Sequence, residues 1–482
     1  MRALVWFRSC LRTTDHAALS AATRNATKGV VALFIISPGE WRAHDYAPVK
    51  VDLILRTLQE LSEQLRSLNI ALVVRTATAP QDVPKVALKA MKEFECDELC
   101  FNREYEVNEM ARDAKVREVC EHAGAKVREY TDQSLIEPGD VRTGEGRFYT
   151  VFTPFKKASI AHLQKRGVAE YPAAKKQKEI VGTPDEVPAQ VKGFESNVPT
   201  NTWPAGEKHA MKRLATFAKK SMATYKAQRD FPAIDGTSVL SPYLAIGAIS
   251  PRQCIIAALE ANREFVKAGA SAFDSGNEGC VHWISEVLWR EFYIHILRGF
   301  PRVCKHRAFQ PATERIVWNE NAKHLEAWKH GNTGVPVVDA GMRQLLTTGW
   351  MHNRVRMITA MYFSKNLFLN WRDGEKWFMQ HLVDGFLASN NGGWQWSAST
   401  GTDAAPYFRI FNPISQSVKF DPQGDYIRKY VPELSGIEGE AIHEPWTLPG
   451  LLRTKLDYPD PLVDLSKTRE KAIEAFAKLK GS

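Results

Sequence analysis

Two glycine patterns that bind phosphate are missing from this chain of 482 residues. No G-x-G-x-x-G follows the first strand-like run and no G-x-x-x-x-G-K-[ST] occurs anywhere, so the dinucleotide-fingerprint and P-loop readings lose their main support. No apolar run reaches the roughly 18 residues that a membrane span needs, and no membrane association is expected. The seven cysteines (10, 96, 100, 120, 254, 280 and 304) are scattered and lack the paired spacing of a zinc centre. No metal is expected, and the thiols read as reduced and intracellular. The opening MRALVWFRSC runs straight into a strand pattern with no signal-peptide layout. The expected location is the cytoplasm, or the nucleus in a eukaryotic host.

What the chain has is positive charge in excess. A net charge of +9 points to a polyanionic partner, most simply nucleic acid. Hydrophobic content of 44% with 25% charged residues describes a globular protein, and the length implies two or three domains. Over the first 130 or so residues, apolar strand patterns (Ala3 to Phe7, Val30 to Ile36, Ile70 to Val74, Glu98 to Phe101) alternate with helical spacing (Ala17 to Arg24, Val51 to Leu68, Val83 to Phe94). That alternation predicts a doubly wound parallel α/β sheet, with ligands beyond the strand C-termini, near 7–12, 37–44 and 102–109. Residues 131–204 read as an interdomain linker, because periodicity fades and Pro, Lys, Ala and Val dominate its later part. Residues 205–475 read as a separate all-helical domain.

Three segments concentrate chemistry. Thr237-Ser238-Val239-Leu240-Ser241-Pro242 places hydroxyls at a helix start, which suits either a phosphate or plain N-capping. From Trp283 to Tyr293, positions 283, 286, 289/290 and 293 share a helix face. That face reads either as a half-buried helix with a Glu–Arg pair or as a base-stacking, hydrogen-bonding pocket. DGFLASNNGGWQWSASTGTDAAPYFRIFNP, from Asp384 to Pro413, is too rich in small residues for an ordinary amphipathic helix and too aromatic for a solvated loop. It is either a tightly packed helix–loop junction or the floor of a pocket for a large aromatic cofactor. Asp384 at its head would have Arg356 as an ion-pair partner. His352, in the TGWMHNRVRM run, reads as structural.

The motifs WREFY, TGWMHNRVRM, NNGGWQW and STGTDAAPYFRIFNP, with TSVLS upstream and Phe7-Arg8 and Leu11-Arg12 near the N-terminus, resemble the photolyase/cryptochrome family over nearly the whole chain. Within the family they are most similar to class I cyclobutane pyrimidine dimer photolyases of the folate-antenna kind. The resemblance implies an antenna-binding α/β domain over 1–130 and an FAD-binding catalytic domain over 205–475. The implied enzyme is a monomer that flips a pyrimidine dimer out of damaged DNA and splits it by electron transfer from light-excited FADH⁻. Tyr225, Thr237, Ser238, Leu240, Ser241, Trp283, Arg290, Trp350, Arg356, Asp384 and Asn390 match positions around FAD, with Asn390 facing flavin N5. Glu286, Trp289, Asn353, Arg354, Met357, Trp396 and Arg409 match positions around the dimer. Trp394, Trp371 and Trp318 match a photoreducing tryptophan chain. His44, Asn108, Glu109, Cys304 and Lys305 match contacts to a 5,10-methenyltetrahydrofolate antenna.

The chain departs from the pattern at Ser9-Cys10, at His16, at Gly341 (commonly Ala) and at Phe386 (usually Asp). Two alternatives sit on the same fold. A cryptochrome photoreceptor is disfavoured by Asn390 and by the short C-terminal end. A (6-4) photolyase is disfavoured by Asn353 and Met357, where those enzymes carry histidines.

Overall fold

The computed structural model describes residues 1–479. The described residues fold as two compact units: one formed by 1–226, 238–301 and 383–386, the other by 227–237, 302–382 and the described residues from 387 onward. The first unit is built on five parallel strands, β1 (Ala3–Phe7), β2 (Val30–Ile36), β3 (Ala71–Thr76), β4 (Glu98–Asn102) and β5 (Lys126–Tyr130), in the order β3-β2-β1-β4-β5. β1 and β2 are buried along their whole length, which is why they read as unbroken apolar runs. The chain moves outward from β1 to β3, then returns to the other side of β1 for β4 and β5. The strand order therefore reverses between β1 and β4, where the loops following the two strands diverge and leave room for a ligand.

Helices Pro48–Ser67 and Val83–Glu93 run between these strands with apolar faces inward. Residues 131–204 are not uniformly irregular, because helix Phe152–Arg166 lies within them. Beyond that helix the segment lies against the outer strand. Asp185 donates its backbone N–H to the Leu72 carbonyl at 2.9 Å and accepts from the Val74 N–H at 2.8 Å. These bonds cover backbone groups of β3 that an open sheet edge would leave unpaired.

A buried ionic cluster ties the β1 loop to helix Pro251–Asn262. The Arg12 guanidinium grips Asp132 at 2.7 and 2.8 Å, and Arg252 donates to Asp132 at 2.7 Å and to Asp15 at 3.0 Å. Cys10 and His16, two of the unusual positions, are buried beside it. Burial drives the His16 imidazole down to about 3. It stays neutral, and its Nδ1 caps helix Ala17–Asn25 by accepting from the Leu19 N–H at 3.0 Å.

The second unit is helical, with its core around Trp328, Phe363, Trp371, Phe378 and Trp394. Helix Pro336–Thr348 ends on Gly349 at φ +70°, a left-handed stop that glycine takes without strain. Gly341 sits inside this helix because a Cβ there would lie 2.4 Å from Val355 Cγ1. The alanine common in the family has no room at this position. Among the described residues no helix is long and apolar enough to cross a membrane.

Candidate active site

Each unit carries its own set of the expected site residues. In the first, helix Glu278–Gly299 supplies Trp283, Glu286, Trp289 and Arg290. Trp283 is buried, with its ring 5.3 Å from Phe217, which in turn meets Tyr225 edge-on at 5.8 Å. Glu286 is half-buried. Trp289 has one indole face covered, because Phe152 stacks on it at 3.7 Å and 11°. The Arg290 guanidinium donates to the Gln133 carbonyl at 2.6 Å and lies 3.5 Å from Glu291. It also sits over the Phe386 ring at 5.0 Å. At position 386, where the resemblance anticipates a carboxylate, Arg290 therefore meets a π-face.

Leu240 is buried, Ser238 is half-buried and Ser241 is exposed at the start of helix Ser241–Ile246. Arg213 fixes this turn by donating to the Ser238 carbonyl at 2.7 Å, and Val239 holds φ +47°. Asp384 is buried. Its neighbour Gly385 is anchored by the buried Lys50 ammonium, which donates to the Gly385 carbonyl at 2.7 Å and packs 3.7 Å from the Tyr46 ring centre.

The expected antenna residues of this unit come together beyond the strand ends. His44 Nδ1 lies 3.1 Å from Glu109 Oε1, and Asn108 Nδ2 lies 3.0 Å from His44 Nε2. A cavity of about 50 Å³ is lined nearby by Arg8, Ser9, Ser37, Glu40, Glu104 and Glu109. These come from the loops and helix starts that follow β1, β2 and β4, where the parallel-sheet rule places ligands.

In the second unit, part of the Asp384-to-Pro413 segment forms a helix, Leu387–Ala398, and as its composition anticipated it is no ordinary amphipathic one. It lacks an amphipathic pattern because polar side chains face the core as well. Asn391 donates to Glu375 Oε1 at 2.8 Å, and Gln395 donates to Asn391 Oδ1 at 2.9 Å. Asn390 is half-buried and its Nδ2 donates to the Glu375 carbonyl at 2.9 Å. Trp394 is buried in an aromatic cage of Phe378, Phe363 and Trp328, with ring centres 5.0, 5.6 and 5.9 Å away. Trp371 belongs to the same core, and Trp318, half-buried, packs against it. Asn319 donates its N–H to the Phe368 carbonyl at 2.8 Å, which brings Trp318 alongside the chain leading to Trp371.

Asn353 and Met357 are adjacent on helix Asn353–Met361, with Nδ2 and Sδ 3.8 Å apart. Arg354 pairs with Asp230 at 2.8 Å and packs over Phe420 at 4.5 Å. Arg356 donates to the Met351 carbonyl at 2.7 Å, with Trp350 5.9 Å from its guanidinium carbon. Trp396 lies 6.4 Å from Phe411. Arg409 and Lys305 are exposed, and Cys304 is half-buried. His352 caps its helix by accepting from the Arg354 N–H at 3.2 Å, which is the structural role expected of it.

Two family models match the chain. Residues 3–177 match DNA photolyase, and residues 283–478 match the FAD binding domain of DNA photolyase. A deoxyribodipyrimidine photo-lyase of Escherichia coli is 42% identical, over 98% of this chain and 98% of that protein. The chain belongs to the DNA photolyase family. A Neurospora crassa deoxyribodipyrimidine photo-lyase is 38% identical over 98% of this chain and 80% of its own length. Among solved structures, a class III photolyase from Agrobacterium tumefaciens superposes with a TM-score of 0.82 at 34% identity, covering 100% of this chain and 98% of that one. A Synechocystis cryptochrome gives 0.85 at 27% identity, covering 98% and 99%.

The residues present fit the FAD that this family binds. The side-chain hydroxyls of Ser238 and Ser241 are donor chemistry that a diphosphate asks for. With Nδ2 committed to Glu375, Asn390 is left to offer Oδ1, an acceptor suited to a ring N–H. Sequence reasoning missed several supporting residues: Lys50 under Gly385, Phe152 on Trp289, Glu375 under the two asparagines, and Trp328 against Trp394. Each partner is distant in sequence, so no local motif marks it.

Proposed function

We propose that this chain is a light-driven DNA repair enzyme that binds DNA carrying cyclobutane pyrimidine dimers, takes the dimer out of the duplex and reverses it. Helix Leu387–Ala398 carries this reading, because it pins the Asn390 amide with Oδ1 left as an acceptor and buries Trp394 in an aromatic cage. Full-length likeness to deoxyribodipyrimidine photo-lyases supports it. When bound, photoexcited reduced FAD supplies the electron that opens the dimer.

The protein's own residues do the rest. The net positive charge gives sequence-independent affinity for phosphates. A dimer's weakened stacking lowers the cost of flipping it out of the duplex. Glu286 hydrogen-bonds a thymine carbonyl and steadies the charge that develops there. Trp289, backed by Phe152, and Trp396 pack against the lesion. Asn353, Arg354, Met357 and Arg409 complete the grip on the damaged strand. Thr237, Ser238, Leu240 and Ser241 hold the cofactor's phosphates. Tyr225, Trp283, Arg290, Trp350, Arg356, Asp384 and Asn390 surround the remainder of FAD. Trp394, Trp371 and Trp318 pass electrons inward from the surface. His44, Asn108, Glu109, Cys304 and Lys305 contact a folate antenna.

On this reading 1–130 is the antenna-binding domain, 205–475 the catalytic domain, and the enzyme acts as a cytoplasmic monomer. The test is Glu286→Ala. Repair yield per absorbed photon should fall several-fold while flavin content and dimer-DNA affinity stay close to wild type. Parallel loss of repair and flavin would contradict the assignment.

A further inference from the structure

Helix Phe152–Arg166 comes from a stretch that the sequence marks as linker, yet it lies along helix Glu278–Gly299. Phe152, its first residue, is 6% exposed and stacks on Trp289 at 3.7 Å and 11°. One turn on, Lys156 Nζ lies 3.5 Å from Ser285 Oγ. Phe152 and Lys156 are one helical turn apart, as are Trp289 and Ser285, so the two pairs step along the helices in opposite directions. Glu286 falls between Ser285 and Trp289. From its own helix the indole is framed by Phe292, edge-on at 5.7 Å, and by Tyr293, tilted at 5.6 Å. Phe152 supplies the parallel face.

The charge on this helix is of one sign. FTPFKKASIAHLQKR carries Lys156, Lys157, Lys165 and Arg166 and no carboxylate. Arg166 has Asp140 3.6 Å away. Lys156, half-buried, and Lys157, exposed, pair with no carboxylate among the described residues. A half-buried ammonium whose partner is a neutral hydroxyl is short of counter-charge, and a phosphate oxygen supplies it.

We propose that helix Phe152–Arg166 is part of the surface that grips damaged DNA. Phe152 is a positioning residue that holds the Trp289 indole ready for the lesion, and Lys156 and Lys157 meet phosphates of the strand that carries it. The proposal rests on the reading of Glu286 and Trp289 as lesion contacts. An indole fixed before binding loses less rotamer freedom when the dimer arrives. The two contributions differ in kind. Stacking on the lesion separates damaged from intact DNA, whereas phosphate contacts hold any sequence.

The test measures binding of the full-length, flavin-loaded protein to a duplex carrying one thymine dimer and to the same duplex undamaged, over a range of salt. Phe152→Leu keeps an apolar side chain but loses the flat face. It should weaken dimer binding about threefold to tenfold and leave undamaged binding and the salt slope alone, and Phe152→Tyr should restore the preference. Lys156→Gln combined with Lys157→Gln should weaken both duplexes together and flatten the plot of log K against log salt by about 0.9 per lysine. Trp289→Ala separates the proposal from the reading beneath it. If that variant keeps its preference for the dimer, Trp289 is no lesion contact and the Phe152 role falls with it. If Trp289→Ala loses the preference, a Phe152→Leu variant that keeps it, or that weakens both duplexes in step, overturns the positioning role. An unchanged salt slope in the lysine variant overturns the phosphate role, whether or not Phe152→Leu folds.

Discussion

Trp394 and Gly374 are locked together, and the lock has a measurable sign. A Cβ added at Gly374 would lie 2.1 Å from Trp394 Cη2, 2.5 Å from Cζ3 and 2.8 Å from Cζ2, well inside van der Waals contact. Trp394 has nowhere to retreat, because Phe378, Phe363 and Trp328 close the other sides and all are buried. Overpacking of this kind costs roughly 1–3 kcal/mol. Gly374 lies inside helix Trp371–His381, where alanine by itself is worth about 0.8–1.0 kcal/mol more than glycine. Gly374→Ala should therefore leave the wild type unchanged or lower its stability by up to about 2 kcal/mol. In a Trp394→Phe background the clashing outer ring is gone, and the same alanine should stabilise by up to about 1 kcal/mol. The assay is urea unfolding of the four proteins in a double-mutant cycle, with an expected coupling of about 1–3 kcal/mol. Equal effects of the alanine in both backgrounds would refute the packing argument. Because the alanine displaces the indole, flavin photoreduction should also slow in the single variant.

Other consequences concern the buried charges of the first unit. Asp132→Asn removes the negative charge shared by Arg12 and Arg252, and should cost about 3–5 kcal/mol in denaturant unfolding, because the buried Arg12 cation loses its counter-charge and Arg252 is left with Asp15 alone. Burial would raise the Asp132 carboxyl, but Arg12 and Arg252 outweigh it and hold the group well below the usual range. Its stabilisation is therefore present above about pH 4 and lost as pH falls further, so Asp132→Asn should flatten the acid limb of the stability curve. Burial pulls the Lys50 ammonium down to about 8, below its unfolded value of about 10.4. The unfolded chain then binds more protons across that window, and wild type should gain stability relative to Lys50→Met as pH rises from 8 to 10. A pH-independent difference would show that Lys50 does not titrate in this range.

Much of the α/β fold was legible because β1 and β2 are buried and so uniformly apolar. β5, KVREY, escaped notice because its edge position lets charged residues alternate with apolar ones. Helix Pro38–Ala43 read as loop because it is short and starts Pro-Gly. The segment around Asn390 showed no amphipathic helix pattern for a physical reason: Asn391 and Gln395 bond to buried partners, so polarity does not mark its outer face. The site residues came from long motifs, whereas their supports came only from the fold. Lys50 reaches Gly385 across most of the chain, and Phe152 meets Trp289 from what looked like a linker. Phe386 was visible as an oddity in the sequence, but its partner Arg290 was not.

The most direct test of the account is illumination of the purified, photoreduced, flavin-loaded protein with an oligonucleotide carrying a single thymine dimer. The account predicts that near-UV or blue light restores the ultraviolet absorbance of the intact thymines, turning over many dimers per protein, and that nothing happens in the dark. Binding of the damaged strand with no recovery of absorbance under light would contradict it.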